Sequence, residues 1–280
     1  MNGKMTIGII GGTGSMGKWF GDFFSCAGYT VLVSGRKTEI TYADIARECE
    51  AIILSVPFDA IDAVSKEIGP LLNKNQFLTD LCSLKEKALE SMLRNTEAEV
   101  AGMHPLFGPF AESIKGQNVI LCPGRGERWL KWIENEYVSK GAVVTVIDSS
   151  VHDEHMAVVQ GLTHFLTICM GRTLQKMNMN KGGALSISTP VFRINYDLIG
   201  RLFAQDINLY KSIIKDNKHF NDVFEIFLSS LHEGRNALLY DSDGGIPYLQ
   251  NIHEFFKESC RQALEESNKF IGALFPDKSE

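Results

Sequence analysis

The sequence predicts an α/β fold, a doubly wound parallel sheet followed by an all-helical second domain, on three observations. Short β-rich runs alternate with helical stretches through the first 150 residues. Several of these runs are nearly continuous in apolar residues, the pattern of parallel strands covered on both faces. After Ser150 the periodic stretches are helical and no strand pattern returns. The expected domains are therefore residues 1–150 and 151–280.

Met5–Ile10 is the first expected strand. Gly12-Thr13-Gly14-Ser15-Met16-Gly17 follows it and opens a helix over Lys18–Ala27. A complete G-x-G-x-x-G between strand and helix marks a Rossmann-type dinucleotide site. Gly12 is expected to make the tight turn, Gly14 to let backbone approach a pyrophosphate, and Gly17 to let helix and sheet pack closely. The helix N-terminus offers unpaired N–H groups to the anion. A tight strand-helix turn without a ligand is the bland alternative.

Thr30–Val33 is the second strand. NAD-preferring sites place an acid after it to hold the ribose hydroxyls. This chain places Ser34, Arg36 and Lys37 there, with Glu39 beyond. A hydroxyl and two cations suit a 2′-phosphate, so NADP is the expected cofactor and NAD the alternative. A solvated basic turn would read the same way. The stretch before the third run is short, and one small strand of the usual sheet is expected to be missing.

Ala51–Val56 is the third run, ended by Ser55-Val56-Pro57 and followed by a helix over Ala60–Ile68. Phe77–Leu81 is the fourth, with Ser83 and a helix over Lys85–Leu93 behind it. Val100–Met103 is the fifth and stops at His104. Val119–Cys122 and Val143–Val146 complete the sheet. Ligands of open α/β sheets bind outside the carboxyl ends of the strands. Gly12, Ser34, Ser55, Ser83 and His104 are therefore expected along one edge.

Two of these residues carry alternatives. Ser83-Leu-Lys-Glu86 matches a capping box, with Ser83 capping the helix and Glu86 reaching back. It is also a hydroxyl at the ligand edge. His104 is either a turn residue bonded to nearby backbone or a general base, since imidazole titrates near cellular pH.

The second half reads as helices over Asp153–Met177, Thr189–Phe203, Asn208–Asn217, His219–Asp241 and Tyr248–Phe275. Gly182-Gly183 and Gly244-Gly245-Ile246-Pro247 punctuate them. A helical domain beside a nucleotide-binding one forms a cleft, the usual place for a small-molecule site. His152-Asp153 reads as a helix start and is left out of the site. Arg201 lies in Leu-Ile-Gly-Arg-Leu-Phe, an apolar helical face on which a solvent-facing residue is unexpected. A snorkelling or salt-bridged arginine, to Asp206 or Asp197, is its bland reading.

The totals bound the function. The chain has 280 residues, 44% hydrophobic and 22% charged, with net charge −6. Without a Lys/Arg-rich block it is not expected to bind nucleic acid. Six scattered cysteines lack a Cys-x-x-Cys pair, which predicts reduced, buried thiols and no metal site. No apolar run approaches the ~20 residues that span a bilayer. No signal peptide is read ahead of the first strand, so a cytoplasmic location is expected. Long helices rich in Phe and Leu predict a homodimer through the helical domain.

Taken together, the sequence resembles the prephenate dehydrogenase family in its monofunctional form. The matching stretches are GGTGSMGKWF (11–20), SVP (55–57), DLCSLKEKALESM (80–92), MHPLFGP (103–109), HDEHMAVVQGLTHF (152–165) and STPVFRINYDLIGRLFAQDINLY (188–210). They run through both halves in order. The resemblance implies oxidative decarboxylation of prephenate to 4-hydroxyphenylpyruvate, with hydride transfer to the nicotinamide. It implies that His104 takes the proton of the 4-hydroxyl and that Ser83 bonds this histidine and the hydroxyl. It implies that Arg201 holds a substrate carboxylate, with Arg193 a second cation on the same segment. His164 and Tyr210 then line the pocket; a satisfied core histidine is the other reading of His164. No fused chorismate mutase or regulatory domain is expected.

Three other functions fit parts of the pattern. Arogenate, an amino-acid analogue of prephenate, fits most of the same residues. A two-domain β-hydroxy-acid dehydrogenase would need a catalytic lysine, and the helical half has none in an apolar setting comparable to that of Arg201. A non-catalytic NADP-binding redox sensor accounts for the glycine loop but not for His104, Ser83 and Arg201.

Overall fold

A computed structural model describes residues 5–179, 185–241 and 243–274. Gly182-Gly183 and Phe275 lie outside them. Seven strands form one sheet: β1 (Thr6–Ile10), β2 (Thr30–Ser34), β3 (Ala51–Leu54), β4 (Phe77–Asp80), β5 (Glu99–Pro105), β6 (Asn118–Arg125) and β7 (Val143–Val146), in the order β2-β1-β3-β4-β5-β6-β7. All seven expected runs are strands. The first five are mutually parallel. β6 runs antiparallel to β5, and β7 is parallel to β6. The expectation of a parallel sheet is corrected to that extent. Residues 106–117 contain no crossover helix, and a strand that returns without one pairs antiparallel.

Helices α1 (Ser15–Cys26), α2 (Tyr42–Glu48), α3 (Ile61–Ile68), α4 (Glu86–Asn95) and α5 (Arg128–Ser139) connect the strands. Alternating side chains of the strands feed two cores, one on each face. Ile7, Ile9, Phe77 and Met103 pack with Phe20, Phe24 and Tyr137. Ile10, Ile52, Leu54 and Val100 pack with Ile45, Ile61 and Met92. The segment between β2 and β3 holds α2, whose Thr41–Asp44 capping box starts it, and adds no strand.

Beyond the sheet lie α6 (Ser149–Met156), a π-helical turn (Ala157–Leu162), α7 (Thr163–Lys176), α8 (Pro190–Phe203), α9 (Ile207–Lys215), α10 (Phe220–Tyr240) and α11 (Ile246–Leu274). The helix expected over Asp153–Met177 is thus interrupted by the π turn. α8 starts as its sequence directs, with Thr189 accepting from the Phe192 N–H and Pro190 at the first position. Two compact units result: residues 1–161 with 208–219, and 162–207 with 220–280. The first takes in α6 and α9, which the sequence reading placed with the second half. Of the six free cysteines, Cys49, Cys82 and Cys122 are buried, but Cys26, Cys169 and Cys260 are exposed. No helix among the described residues is long and apolar enough to cross a membrane.

Candidate active site

The strand order reverses direction between β1 and β3, and the crevice at their carboxyl ends is where a doubly wound sheet takes its ligand. Gly11 turns the chain there, with φ +80°. A Cβ on it would stand 2.2 Å from the Ser55 carbonyl oxygen. The tight turn expected of Gly12 therefore belongs to Gly11. Gly12 is bare because a Cβ would meet Val33 at 2.7 Å. Gly17 is bare because a Cβ would reach the Gly12 Cα at 2.6 Å, so α1 rests directly on the loop.

Gly14 is exposed and ends the loop as the N-cap of α1, without a side-chain cap and without an acid in the first turn. Thr13 and Ser15 are exposed beside it, while Met16 is half-buried against the aromatic core. A cradle without side chains at a helix N-terminus is what a pyrophosphate requires. The residues present fit a nicotinamide dinucleotide.

The end of β2 lies against the same loop. A Cβ on Gly35 would meet Thr13 Oγ1 at 2.9 Å, and the Gly11 N–H donates to the Ser34 carbonyl at 2.7 Å. Ser34 is buried, and its hydroxyl donates to the Ile40 carbonyl at 2.7 Å. Arg36 and Lys37 are exposed on the turn. Ser55 donates its N–H to the Ile10 carbonyl, and Val56 Cγ1 would lie 3.0 Å from a Gly11 Cβ; Pro57 is exposed. The third strand end thus borders the glycine loop directly.

His104 occupies the penultimate position of β5 and is 2% exposed. Its Nδ1 lies 2.8 Å from His152 Nε2, and its Nε2 lies 3.3 Å from the Gln160 side-chain nitrogen. His152 Nδ1 in turn lies 2.7 Å from Asp153 Oδ1. Burial, then the neighbouring His152 and Lys85, hold the His104 imidazolium form well out of reach, so the pKa falls well below 6.5. Burial also lowers that of His152, against the opposing pull of Asp153. Both rings are neutral at cellular pH. The bland turn histidine is thereby replaced by a buried one whose partners are side chains.

A buried ion pair lies near His104. Lys85 Nζ lies 2.5 Å from Asp80 Oδ2 and donates to the Met103 carbonyl at 2.9 Å. Both side chains are fully buried. The lysine stem passes under Gly102, where a Cβ would meet its Cδ at 3.0 Å. The capping box read at Ser83–Glu86 is not formed. α4 begins one residue after Lys85 and has no local side-chain cap. Asp153 instead accepts from the Lys85 N–H at 2.7 Å and the Glu86 N–H at 3.0 Å. Ser83 is half-buried in the connection between β4 and α4.

Comparison with known proteins decides the family. Residues 33–146 match the model described as prephenate dehydrogenase, nucleotide-binding domain, and residues 148–258 match prephenate dehydrogenase, dimerization domain. The T-protein of Haemophilus influenzae is 31% identical over 269 residues, covering 95% of this chain and 71% of that protein. The chain belongs to the prephenate dehydrogenase family. A probable arogenate/prephenate dehydrogenase of Methanocaldococcus jannaschii is 30% identical over 98% of this chain and 66% of its own length. This family member also shares the fold of solved structures. Prephenate dehydrogenase from Aquifex aeolicus, in complex with hydroxyphenyl propionate and NAD+, superposes with a TM-score of 0.73 at 19% identity, covering 91% of this chain and 98% of that one. Synechocystis arogenate dehydrogenase gives 0.68 at 16% identity, covering 92% and 100%.

The remaining expected residues of this prephenate dehydrogenase family chain divide between the two units. Tyr210 is buried on α9, in the unit that holds His104. His164 on α7 and Arg193 and Arg201 on α8 belong to the other unit. Burial lowers the His164 pKa. Arg193 pairs with Asp197 at 2.9 Å. Arg201 is exposed, which corrects the expectation of an apolar setting. Eight residues separate the two arginines, so they stand on one side of α8 about 12 Å apart. The sequence reading took His152-Asp153 for a helix start and left it out of the site, and it did not single out Gln160, Lys85 or Asp80. Gln160 sits in the π-helical turn, a kind of turn that gathers at functional sites but that the helical pattern over Asp153–Met177 did not announce.

Proposed function

We propose that this chain oxidatively decarboxylates prephenate to 4-hydroxyphenylpyruvate and prefers NADP. The observation that carries the reading is His104, a buried neutral imidazole at the ligand edge of a sheet whose glycine loop fits a dinucleotide. Gly12, Thr13, Gly14, Ser15, Met16 and Gly17 hold the pyrophosphate, and Ser55, Val56 and Pro57 border it. Arg36 and Lys37 take the 2′-phosphate. Ser34 shapes their turn, since its proton is committed to Ile40. A bound nicotinamide supplies the hydride acceptor.

His104 Nε2 takes the proton of the 4-hydroxyl as hydride leaves C4, with the Ser83 hydroxyl bonding to both. The bond from C1 to the ring carboxylate then breaks and carbon dioxide leaves. Its electron pair aromatises the ring and returns to the oxygen, which recovers a proton from His104. Arg201 and Arg193 hold the two carboxylates, since a dianion in a cleft requires fixed guanidinium groups. His164 and Tyr210 line the pocket. The matched dimerization model supports a homodimer through the helical half, and a cytoplasmic location belongs to the same reading.

Arogenate is the second reading, favoured by the name of the Methanocaldococcus jannaschii relative. Steady-state assay of the purified chain with prephenate or arogenate, against NADP or NAD, tests both. The expected result is turnover of prephenate, with a kcat/KM for NADP at least tenfold that for NAD. Arg36→Ala with Lys37→Ala should abolish that preference. Dinucleotide binding without turnover of either substrate would leave the redox-sensor reading and overturn this one.

A further inference from the structure

Three nitrogens converge on the Asp153 carboxylate: the Lys85 N–H at 2.7 Å, the Glu86 N–H at 3.0 Å and His152 Nδ1 at 2.7 Å. Two of them are backbone amides, which only donate. Each carboxylate oxygen thus accepts a backbone N–H at the start of a helix, where a negative group is favoured. A carboxylate in that setting only accepts, so the His152 Nδ1 contact has one polarity: the ring donates and Asp153 accepts.

That polarity propagates. A neutral imidazole with its proton on Nδ1 has a bare Nε2. His152 Nε2 is therefore an acceptor, and the contact at 2.8 Å requires His104 Nδ1 to donate to it. His104 is neutral, so its Nε2 carries the lone pair. The Gln160 amide nitrogen, 3.3 Å from that Nε2, is a donor and fits the same assignment. The chain runs through residues 48 positions apart and ends on the atom that a substrate hydroxyl must reach.

We infer that His152 and Asp153 are positioning residues for His104, fixing it in the Nδ1–H tautomer so that Nε2 is bare and aimed as the base. The inference rests on the proposed role of His104. Asp153 does this while capping α4, so the tautomer of the base is tied to the connection between β4 and α4 that carries Ser83. Other titratable or charged groups around the pair are Lys85 and Asp80, which are committed to each other. An orienting carboxylate acting through a histidine is the logic of hydrolytic triads, here set one imidazole further back.

Asp153→Asn replaces one acceptor oxygen by an NH₂ group. Turned towards His152, that group forces His152 to donate from Nε2, and His104 must then move its proton to Nε2. His152→Leu removes the acceptor of His104 Nδ1. His152→Gln keeps an acceptor oxygen at the position of Nε2. Two measurements on the full-length chain test the inference.

In the first, histidine side chains are labelled with ¹⁵N, and long-range ¹⁵N–¹H spectra are recorded without substrate, with the His104 signals assigned by their loss in His104→Asn. The expected result is an Nδ1–H tautomer in the native chain and Nε2–H in Asp153→Asn; Nε2–H in the native chain overturns the inference. In the second, prephenate turnover is measured with NADP. Asp153→Asn and His152→Leu are expected to lower kcat about 10- to 100-fold, with KM for prephenate and NADP changed less than about threefold. His152→Gln should stay within about threefold of the native kcat. Equal losses in His152→Gln and His152→Leu would reduce His152 to a packing role. A native chain that turns over no prephenate would defeat the proposed function alone, because the tautomer is read without substrate.

Discussion

His104 is closed in by His152 and Gln160 on its two ring nitrogens, with Lys85 close enough to disfavour a second positive charge. Burial is the largest of these influences. The sign follows directly: a base whose folded pKa lies below the ordinary 6.5 remains neutral, and competent to take a proton, as pH falls through 6.5. The acid limb of kcat/KM for prephenate should therefore fall below pH 6.5. A profile measured from pH 5 to 9 checks it, and a midpoint at or above 6.5 would contradict this environment for the ring. The same residue shows what one dimension conveys. The position of His104 at a strand end was legible, because the apolar run stops there. Its partner His152 was not, because spacing along the chain carries no sign of which strand end a helix start will meet. The glycine doublet at 11–12 is a smaller case. Either letter satisfies a turn, and only the approach of the Ser55 carbonyl, across the sheet, assigns the left-handed residue to Gly11.

The connection from β4 to α4 concentrates the polar groups on which the site stands. The Lys85–Asp80 pair is fully buried, and its attraction offsets the loss of water only while both partners remain. Lys85→Met leaves the Asp80 carboxylate buried without its partner, with one carboxylate oxygen already lacking a hydrogen bond. The expected loss of stability is about 3–5 kcal/mol, and Asp80→Asn combined with Lys85→Met should recover most of it. Urea unfolding of Lys85→Met, Asp80→Asn and the double variant decides the matter: additive losses would mean that the two groups do not act as a pair. Local sequence at this connection was misleading for a physical reason. Ser83–Glu86 has the letters of a capping box, yet the α4 amides are satisfied by Asp153, 68 residues from Lys85. A distant carboxylate overrode a local hydroxyl. The antiparallel pairing of β6 was hidden in a different way, since an apolar run reads the same in either direction.

At the scale of the whole molecule, the alternation of runs foretold a sheet followed by helices. It did not foretell that 208–219 returns to the sheet unit, where Asn217 donates to the Asp153 carbonyl and Lys218 and His219 meet Glu86. Helical periodicity marks a face as apolar without saying what covers it. The same limit frames α11, 29 residues long with none of its described side chains buried in the single chain. Leu249, Ile252 and Phe256 follow a three-and-four spacing, and Phe270 stands two heptads beyond Phe256, so the four share one side. They are 45%, 40%, 52% and 68% exposed. On the proposed homodimer, a second copy of α11 offers an identical stripe to pair with it by two-fold symmetry. Light scattering on the eluting chain should give about twice the 31.2 kDa chain mass. Phe256→Glu with Phe270→Glu places charges on the stripe without touching a residue assigned to the site, and should shift the mass to one chain at micromolar concentration while leaving the sheet unit folded. A native chain that elutes as a monomer, or a double variant that stays dimeric, would place the contact on some other face of the helical half.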